Sequence, residues 1–284
     1  MSDNTHRIAL ITDSTADIPP KLAERHGIIV LPLYVLWGGD TLRDGVDISN
    51  TAFYERIGRD SDHPKTSQPT PVDFERLLCD CGCEEALIIT ISGELSGTLN
   101  SAVQAAQSAG IPVRIEDSRS VSMGLGWQVL AAARVREAGG DVDAMVAAAR
   151  AVRGTQRNFF TVDTLEYLHR GGRIGGAAKF LGTVLQLKPV LAVDSGTGRI
   201  EAVERARTRR RALKRVVEIT LEGIDCSRPL RIAVMHAAAM DDAHVLLEEV
   251  MERCTPTEHL IGELGPVLGV HGGPGLVGMC VCIE

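Results

Sequence analysis

Short apolar runs recur along the first half of the chain, each followed by a turn and a stretch with helical spacing. Ile8-Ala9-Leu10-Ile11, Ile28-Ile29-Val30-Leu31, Leu87 to Ile91 and Val113 to Asp117 read as strands. Near-continuous aliphatic runs of this length suit strands buried on both faces. Leu33 to Leu42 reads as a hairpin around Trp37-Gly38-Gly39-Asp40. Asp17 is placed to cap a helix with Pro19-Pro20 in its first turn. Further helices are predicted from Thr51 to Arg59, from Val72 onward and from near Met123, the last alanine-rich, while Pro64 to Pro71 reads as a loop. This βαβα rhythm predicts a parallel sheet covered by helices.

The second half has a different pattern. Phe159 to Val162 reads as a strand, and Thr164 to Gly172 as a short helix stopped by two glycines. Leu187 to Val193 and Ile200 to Glu204 flank Asp194-Ser195-Gly196-Thr197-Gly198, the turn chemistry of a hairpin. Helices are predicted from Thr208 to Leu221 and Asp241 to Glu252, with strands at Arg231 to Met235 and Gly278 to Ile283. Hairpins mixed with helices predict an α+β domain. The Arg153-Gly154-Thr155 break sets the expected boundary: an α/β domain over 1–155 with a hairpin insertion near 31–48, and an α+β domain over 156–284.

Composition narrows the function. At 284 residues with 44% hydrophobic content, the chain has material for a large core or two. A net charge of -7 and a pI near 5.7 argue against nucleic-acid binding, and 4% aromatic residues leave few stacking platforms. The polar start, Met1 to Arg7, lacks the pattern of a secretory leader, and no apolar run reaches membrane-spanning length, so a cytoplasmic location is expected. Seven cysteines at these spacings suggest reduced thiols. Cys79, Cys81 and Cys83 alternate, but no nearby histidine or second C-x-x-C completes a metal set, so no metal is expected.

Five stretches carry candidate chemistry. The strand ending at Ile91 runs into Ser92-Gly93-Glu94-Leu95-Ser96-Gly97-Thr98 and then a helix. A helix start presents unpaired N–H groups and partial positive charge, which suits an anion. The turn lacks the Gly-Lys-Ser/Thr of a phosphate loop and the G-x-S-x-G spacing of a hydrolase elbow, and a plain helix cap would also explain it. Lys65 to Pro71 sets small hydroxyls between prolines. Leu264 to Gly275 surrounds His271 with glycines that permit close backbone approach. Arg173 follows Gly171-Gly172, where a structural salt bridge is the favoured reading. The run from Arg205 to Arg215 reads as a helix capped by Thr208, with Ala212, Leu213, Val216 and Val217 inside and a cationic outer face.

Taken in order, these stretches resemble the DegV family. The resemblance is carried by Ile11-Thr12-Asp13-Ser14-Thr15-Ala16-Asp17-Ile18-Pro19, Arg43-Asp44-Gly45-Val46-Asp47-Ile48, Thr66-Ser67-Gln68-Pro69, Leu95-Ser96-Gly97-Thr98, Val162 to Leu168, Gly171-Gly172-Arg173-Ile174, Lys188-Pro189-Val190-Leu191, Arg207-Thr208-Arg209, and Gly265 to Gly275. Each is weak alone; the ordered set spans nearly the whole chain.

The resemblance implies a non-catalytic two-domain protein that binds one long-chain fatty acid between its domains, without a cofactor. It also implies a partner, an ATP-dependent kinase to which the acid is presented for acyl-phosphate formation. The family's carboxylate-binding positions fall on Thr66, Ser96 and His271, with Ser67, Gly97, Thr98, Arg173 and Gly273 in support, and its kinase-facing arginine falls on Arg207. One departure is Gly272, where many members carry threonine. The tunnel wall is expected to include Phe160, Phe180, Leu181 and Leu185. Two other readings stand beside the carrier: a hydrolase with Ser96 as nucleophile, His271 as base and Asp13 or Asp163 as orienting acid, and a lipid-sensing regulatory protein.

Overall fold

The computed structural model describes residues 8–181 and 187–283. The first half alternates as the apolar pattern predicts: β1 (Ile8–Asp13), α1 (Pro20–Arg25), β2 (Ile28–Leu31), a hairpin of β3 (Tyr34–Trp37) and β4 (Asp40–Arg43), α2 (Asn50–Ile57), β5 (Lys65–Ser67), α3 (Pro71–Asp80), β6 (Glu85–Thr90), α4 (Thr98–Ser108), β7 (Val113–Asp117), α5 (Met123–Glu137) and α6 (Val142–Thr155). The second half contains β8 (Arg157–Thr161), α7 (Glu166–Arg170), β9 (Lys188–Val193), β10 (Ile200–Ala206), α8 (Arg209–Leu221), β11 (Leu230–His236), α9 (Met240–Met251), β12 (Glu258–Glu263), α10 (Pro266–Gly272) and β13 (Val277–Ile283).

Strands β2, β1, β6 and β7 form a parallel sheet in that order. Side chains alternate across it, as the strand period of two requires. Leu10, Leu87 and Ile89 face α5 and α6, while Ala9, Ile11, Ala86 and Ile88 face α3 and α4. A six-stranded mixed sheet, ordered β10-β9-β8-β13-β11-β12, is antiparallel except between β11 and β12. Its Ala233, Met235, Cys280 and Cys282 join the cluster around α5 and α6, and its Ile232, Val234, Met279 and Val281 face α8 and α9. Helices α5 and α6 are therefore packed between the two sheets. That explains why α5 is apolar nearly all round: it has no solvent face to mark.

Several expectations change. Asp17 does not cap α1. It sits in the left-handed region (φ 50) after a short 3-10 turn, Ser14–Ala16, and α1 starts from Pro19 with no side-chain cap. Arg153 and Gly154 are helical, since α6 runs on to Thr155 just ahead of β8, and the Thr155 hydroxyl donates to the Ile283 carbonyl at 2.9 Å. Packing there outweighs the helix cost of Gly154, about 1 kcal/mol. Within Pro64 to Pro71, Lys65–Ser67 is a third strand on the hairpin. The cysteines are not all thiols: Cys81 pairs with Cys83 and Cys226 with Cys254, leaving Cys79, Cys280 and Cys282 free. The first pair closes across Gly82, whose positive φ (61) tightens the turn. No helix among the described residues is long and apolar enough to cross a membrane.

Candidate functional site

Between the sheets lies a cavity of about 970 Å³, including its opening. Ile91, Leu95 and Met123 come to it from the first half, and Phe160, Val193, Ile200 and Leu276 from the second. Its polar groups include Thr66, Gln68, Ser96, Arg173 and His271.

Thr66 is placed by strand pairing. It stands opposite Val35, which is fully buried, so the shared face points inward. His271 is placed by α10, which the glycine-rich sequence concealed. Helical propensity is poor at Gly269 and Gly272. A side chain at Gly269 would overlap the Phe53 ring, so the helix is held by close tertiary packing rather than propensity. These two elements bring Thr66 Oγ1 to 2.8 Å from His271 Nε2.

The serine turn is placed by β6. Amides of Leu95 and Ser96 both donate to the Ser92 carbonyl, at 3.0 and 3.1 Å. Ser92 itself is buried and donates to the Gly198 carbonyl at 2.8 Å, tying the turn to the β9–β10 hairpin. Ser96 Oγ lies 2.9 Å from Thr98 Oγ1 and accepts the Thr98 amide at 3.3 Å.

Arg173 makes backbone contacts where a salt bridge was expected. Its Nε donates to the Leu95 carbonyl at 3.0 Å and its Nη1 to the Gly171 carbonyl at 2.7 Å. Gly171 in turn lies so close to His271 Nδ1 that any Cβ there would overlap the ring. One guanidinium thus staples the Ser96 turn to the His271 corner and leaves a positive charge at this end of the cavity.

Burial, then the charges of Arg173 and His63, push His271 down to about 4. The imidazole is neutral at pH 7. Its Nδ1 is buried with no partner among the described residues. A bare acceptor nitrogen is less costly there than an unpaired N–H, which assigns the proton to Nε2. Nε2–H then donates to Thr66 Oγ1, and the Thr66 hydroxyl proton is free to point into the cavity.

The other expected positions divide. Phe160 lines the cavity; Phe180 and Leu181 do not, Phe180 packing under Arg205 and Leu181 facing solvent, and Leu185 lies outside the described residues. Thr98 is buried behind Ser96, Ser67 turns to the Gln68 carbonyl at 3.3 Å, and Gly273 closes against Tyr167. Gly97 precedes α4 and packs on Gln68, where a Cβ would come within 2.8 Å of Nε2. Arg207 is exposed just ahead of Thr208, which caps α8 through the Arg211 amide at 3.2 Å. Sequence reasoning missed Gln68, though it lay inside a quoted motif, and it missed the apolar walls from β11 and β13, which carry no local signal.

These features define a two-domain α/β protein with an internal, largely apolar chamber and a small polar cluster on its wall. The family model described as "Uncharacterised protein, DegV family" matches residues 7–284, and the chain belongs to the DegV family. A DegV domain-containing protein of Streptomyces coelicolor is 40% identical over 98% of this chain and 99% of its own. A DegV family protein from Thermus thermophilus, described for its fatty acid binding, superposes with a TM-score of 0.90 at 38% identity, covering 98% and 100% of the two chains. DegV of Bacillus subtilis, described as a fatty acid binding protein, gives 0.90 at 33% identity over 98% and 99%.

Proposed function

We propose that this protein binds one long-chain fatty acid in the cavity, with the carboxylate held by Thr66, Ser96 and His271 beside Arg173. The observation that carries the reading is the Thr66–His271 pair standing at the wall of a largely apolar chamber. A carboxylate there gains charge-assisted hydrogen bonds from the hydroxyls, with the neutral imidazole holding the Thr66 oxygen so that its proton faces the ligand. The tail supplies most of the affinity: about 0.8 kcal/mol per buried methylene gives on the order of 11 kcal/mol gross for about fourteen, before ordering costs. Relatives described as fatty acid binding proteins support the same ligand class.

The protein acts as a cytoplasmic carrier and not as a hydrolase. A Ser-His-acid device needs a carboxylate on the far ring nitrogen. His271 Nδ1 has none among the described residues, Asp13 is engaged by Thr15 and Ile91, and Asp163 pairs with Lys188 at 2.9 Å. The bound acid is presented to a separate ATP-dependent kinase, with exposed Arg207 as a docking contact. Native mass spectrometry of the purified protein, followed by ligand extraction, tests the reading. A co-purifying fatty acid is expected; a protein that neither carries nor takes up a fatty acid overturns it.

A further inference from the structure

Three carboxylates lie in the interior near the cavity: Asp13, Asp17 and Asp44. Asp13 is accounted for within the parallel sheet, accepting from the Thr15 and Ile91 amides at 3.0 and 2.8 Å and from the Thr15 hydroxyl. Asp17 and Asp44 face elsewhere. Asp17 Oδ1 accepts the Gly265 amide at 2.9 Å, and its Oδ2 accepts the Ser122 hydroxyl at 2.6 Å. Asp44 Oδ2 accepts the Ser14 hydroxyl at 2.8 Å. Its Oδ1 has no hydrogen bond of normal geometry, yet the Val267 amide lies near enough to favour the ionised form.

Both carboxylates therefore converge on the first turn of α10. Gly265, the residue ahead of that helix, has no side chain to cap it. A Cβ at Gly265 would sit 3.3 Å from Asp17 Oδ1 and 3.3 Å from Asp44 Oδ1, so the fit is close on both sides. Farther along, Gly269 packs on Phe53, and the Tyr54 hydroxyl donates to the Leu264 carbonyl at 3.0 Å. His271 rides in the last turn, about 9 Å from Gly265 along the axis.

We propose that Asp17 and Asp44 are positioning residues. They set the height and rotation of α10 from its N-terminal end, and so place His271 Nε2 against Thr66 and the ligand head group. Neither carboxylate touches the ligand. The proposal rests on the head-group assignment above. Asp17 also reaches Ser122, which precedes α5 in an unusual backbone conformation (φ 53) and lines the cavity next to Met123. One side chain thus registers α10 against α5. Burial pushes Asp17 up to about 7 and Asp44 up to about 6, a cost that a neutral cap on the same amides avoids.

The test uses the full chain stripped of lipid, a long-chain saturated fatty acid and the fatty alcohol of equal length. The variants are Asp17→Ala, Asp17→Asn and Gly265→Ala. Asp17→Ala is expected to weaken the acid about tenfold while changing the alcohol less than about threefold, since only the acid uses the charged head-group contacts. Asp17→Asn keeps an acceptor for the Gly265 amide and is expected to restore the acid. Gly265→Ala crowds both carboxylates, keeps every polar group and is expected to show the same acid-selective loss if Asp17→Ala fails to fold. The imidazole resonances of His271 are expected to shift in both alanine variants. Equal weakening of acid and alcohol, or unmoved His271 resonances, overturns the positioning role. If the wild type takes up neither compound, the fatty-acid reading fails, and the His271 resonances still decide whether the carboxylates place the imidazole.

Discussion

His271 Nε2 stands 2.8 Å from the Thr66 hydroxyl, although the two residues are 205 positions apart. The pair joins a strand added to a hairpin with a helix assembled from glycines. Its chemistry is that of a hydrogen-bond relay: the neutral ring holds the threonine oxygen, and the threonine proton is offered to the cavity.

Removing either hydroxyl at this end should cost head-group binding and spare the fold. Thr66→Ala and Ser96→Ala are each expected to weaken fatty-acid retention by about tenfold to a hundredfold, the range for a hydrogen bond to a charged group. Titration of delipidated protein with the acid measures the loss, and circular dichroism checks the fold. Unchanged affinity in the double variant contradicts the carboxylate assignment.

Gly171→Ala should mimic loss of the histidine. The added methyl overlaps His271 Nδ1, so the ring must move away from Thr66. Overpacking of this kind costs about 1–3 kcal/mol of stability. A crystal structure of the variant with His271 in place and acid affinity unaltered would contradict the close packing of Gly171 on His271.

The titration of His271 gives a direct readout of the site. In the ligand-free protein its midpoint is expected at about 4, since burial and Arg173 disfavour the imidazolium. A bound carboxylate is an opposite charge and moves the midpoint upward. Imidazole resonances followed from pH 3 to 8, with and without fatty acid, check both the value and the direction. A midpoint that falls on binding places the carboxylate elsewhere.

Asp17 predicts a pH dependence of stability. Its folded value of about 7 lies above the ordinary 3.8, so the native state holds a proton that the unfolded chain releases. That contribution is complete below about pH 4 and is lost as pH rises through 7. The shift corresponds to about 4 kcal/mol at full deprotonation. Asp13, Asp44 and Tyr54 surround the site and share in its titration, Glu263 acts on Tyr54 in turn, and Ser122 is the neutral partner. Relative to Asp17→Asn, the wild type should lose stability between pH 5 and 8 in denaturant unfolding; parallel pH profiles for the two proteins count against it.

Arg207→Ala should separate binding from transfer. The side chain is exposed and outside the cavity wall, so fatty-acid retention is expected to be unchanged. Acyl-phosphate formation by a partner kinase should slow. Normal kinase turnover with the variant removes the docking assignment.

What the sequence alone determined was local and periodic. The aliphatic runs of β1, β2, β6 and β7, the hairpin turn at Gly38-Gly39, the Thr208 cap and the buried face Ala212, Leu213, Val216 and Val217 all follow from nearest neighbours and repeat spacing. The ordered motifs also marked Thr66, Ser96 and His271 as one candidate set. What only the tertiary structure decided depends on contacts between distant segments. Thr66 faces inward because β5 adds to β3 in one register. Helix α10 exists because Phe53 and Tyr54 fit against glycines that would not sustain a helix alone. Asp17 looked like a helix cap by sequence position, and the fold instead turned its carboxylate to Gly265 and Ser122. Arg173 found carbonyls instead of a carboxylate because two chain segments close around it. Local preferences are worth tenths of a kilocalorie per residue, and burial of a side chain or an amide between segments outweighs them.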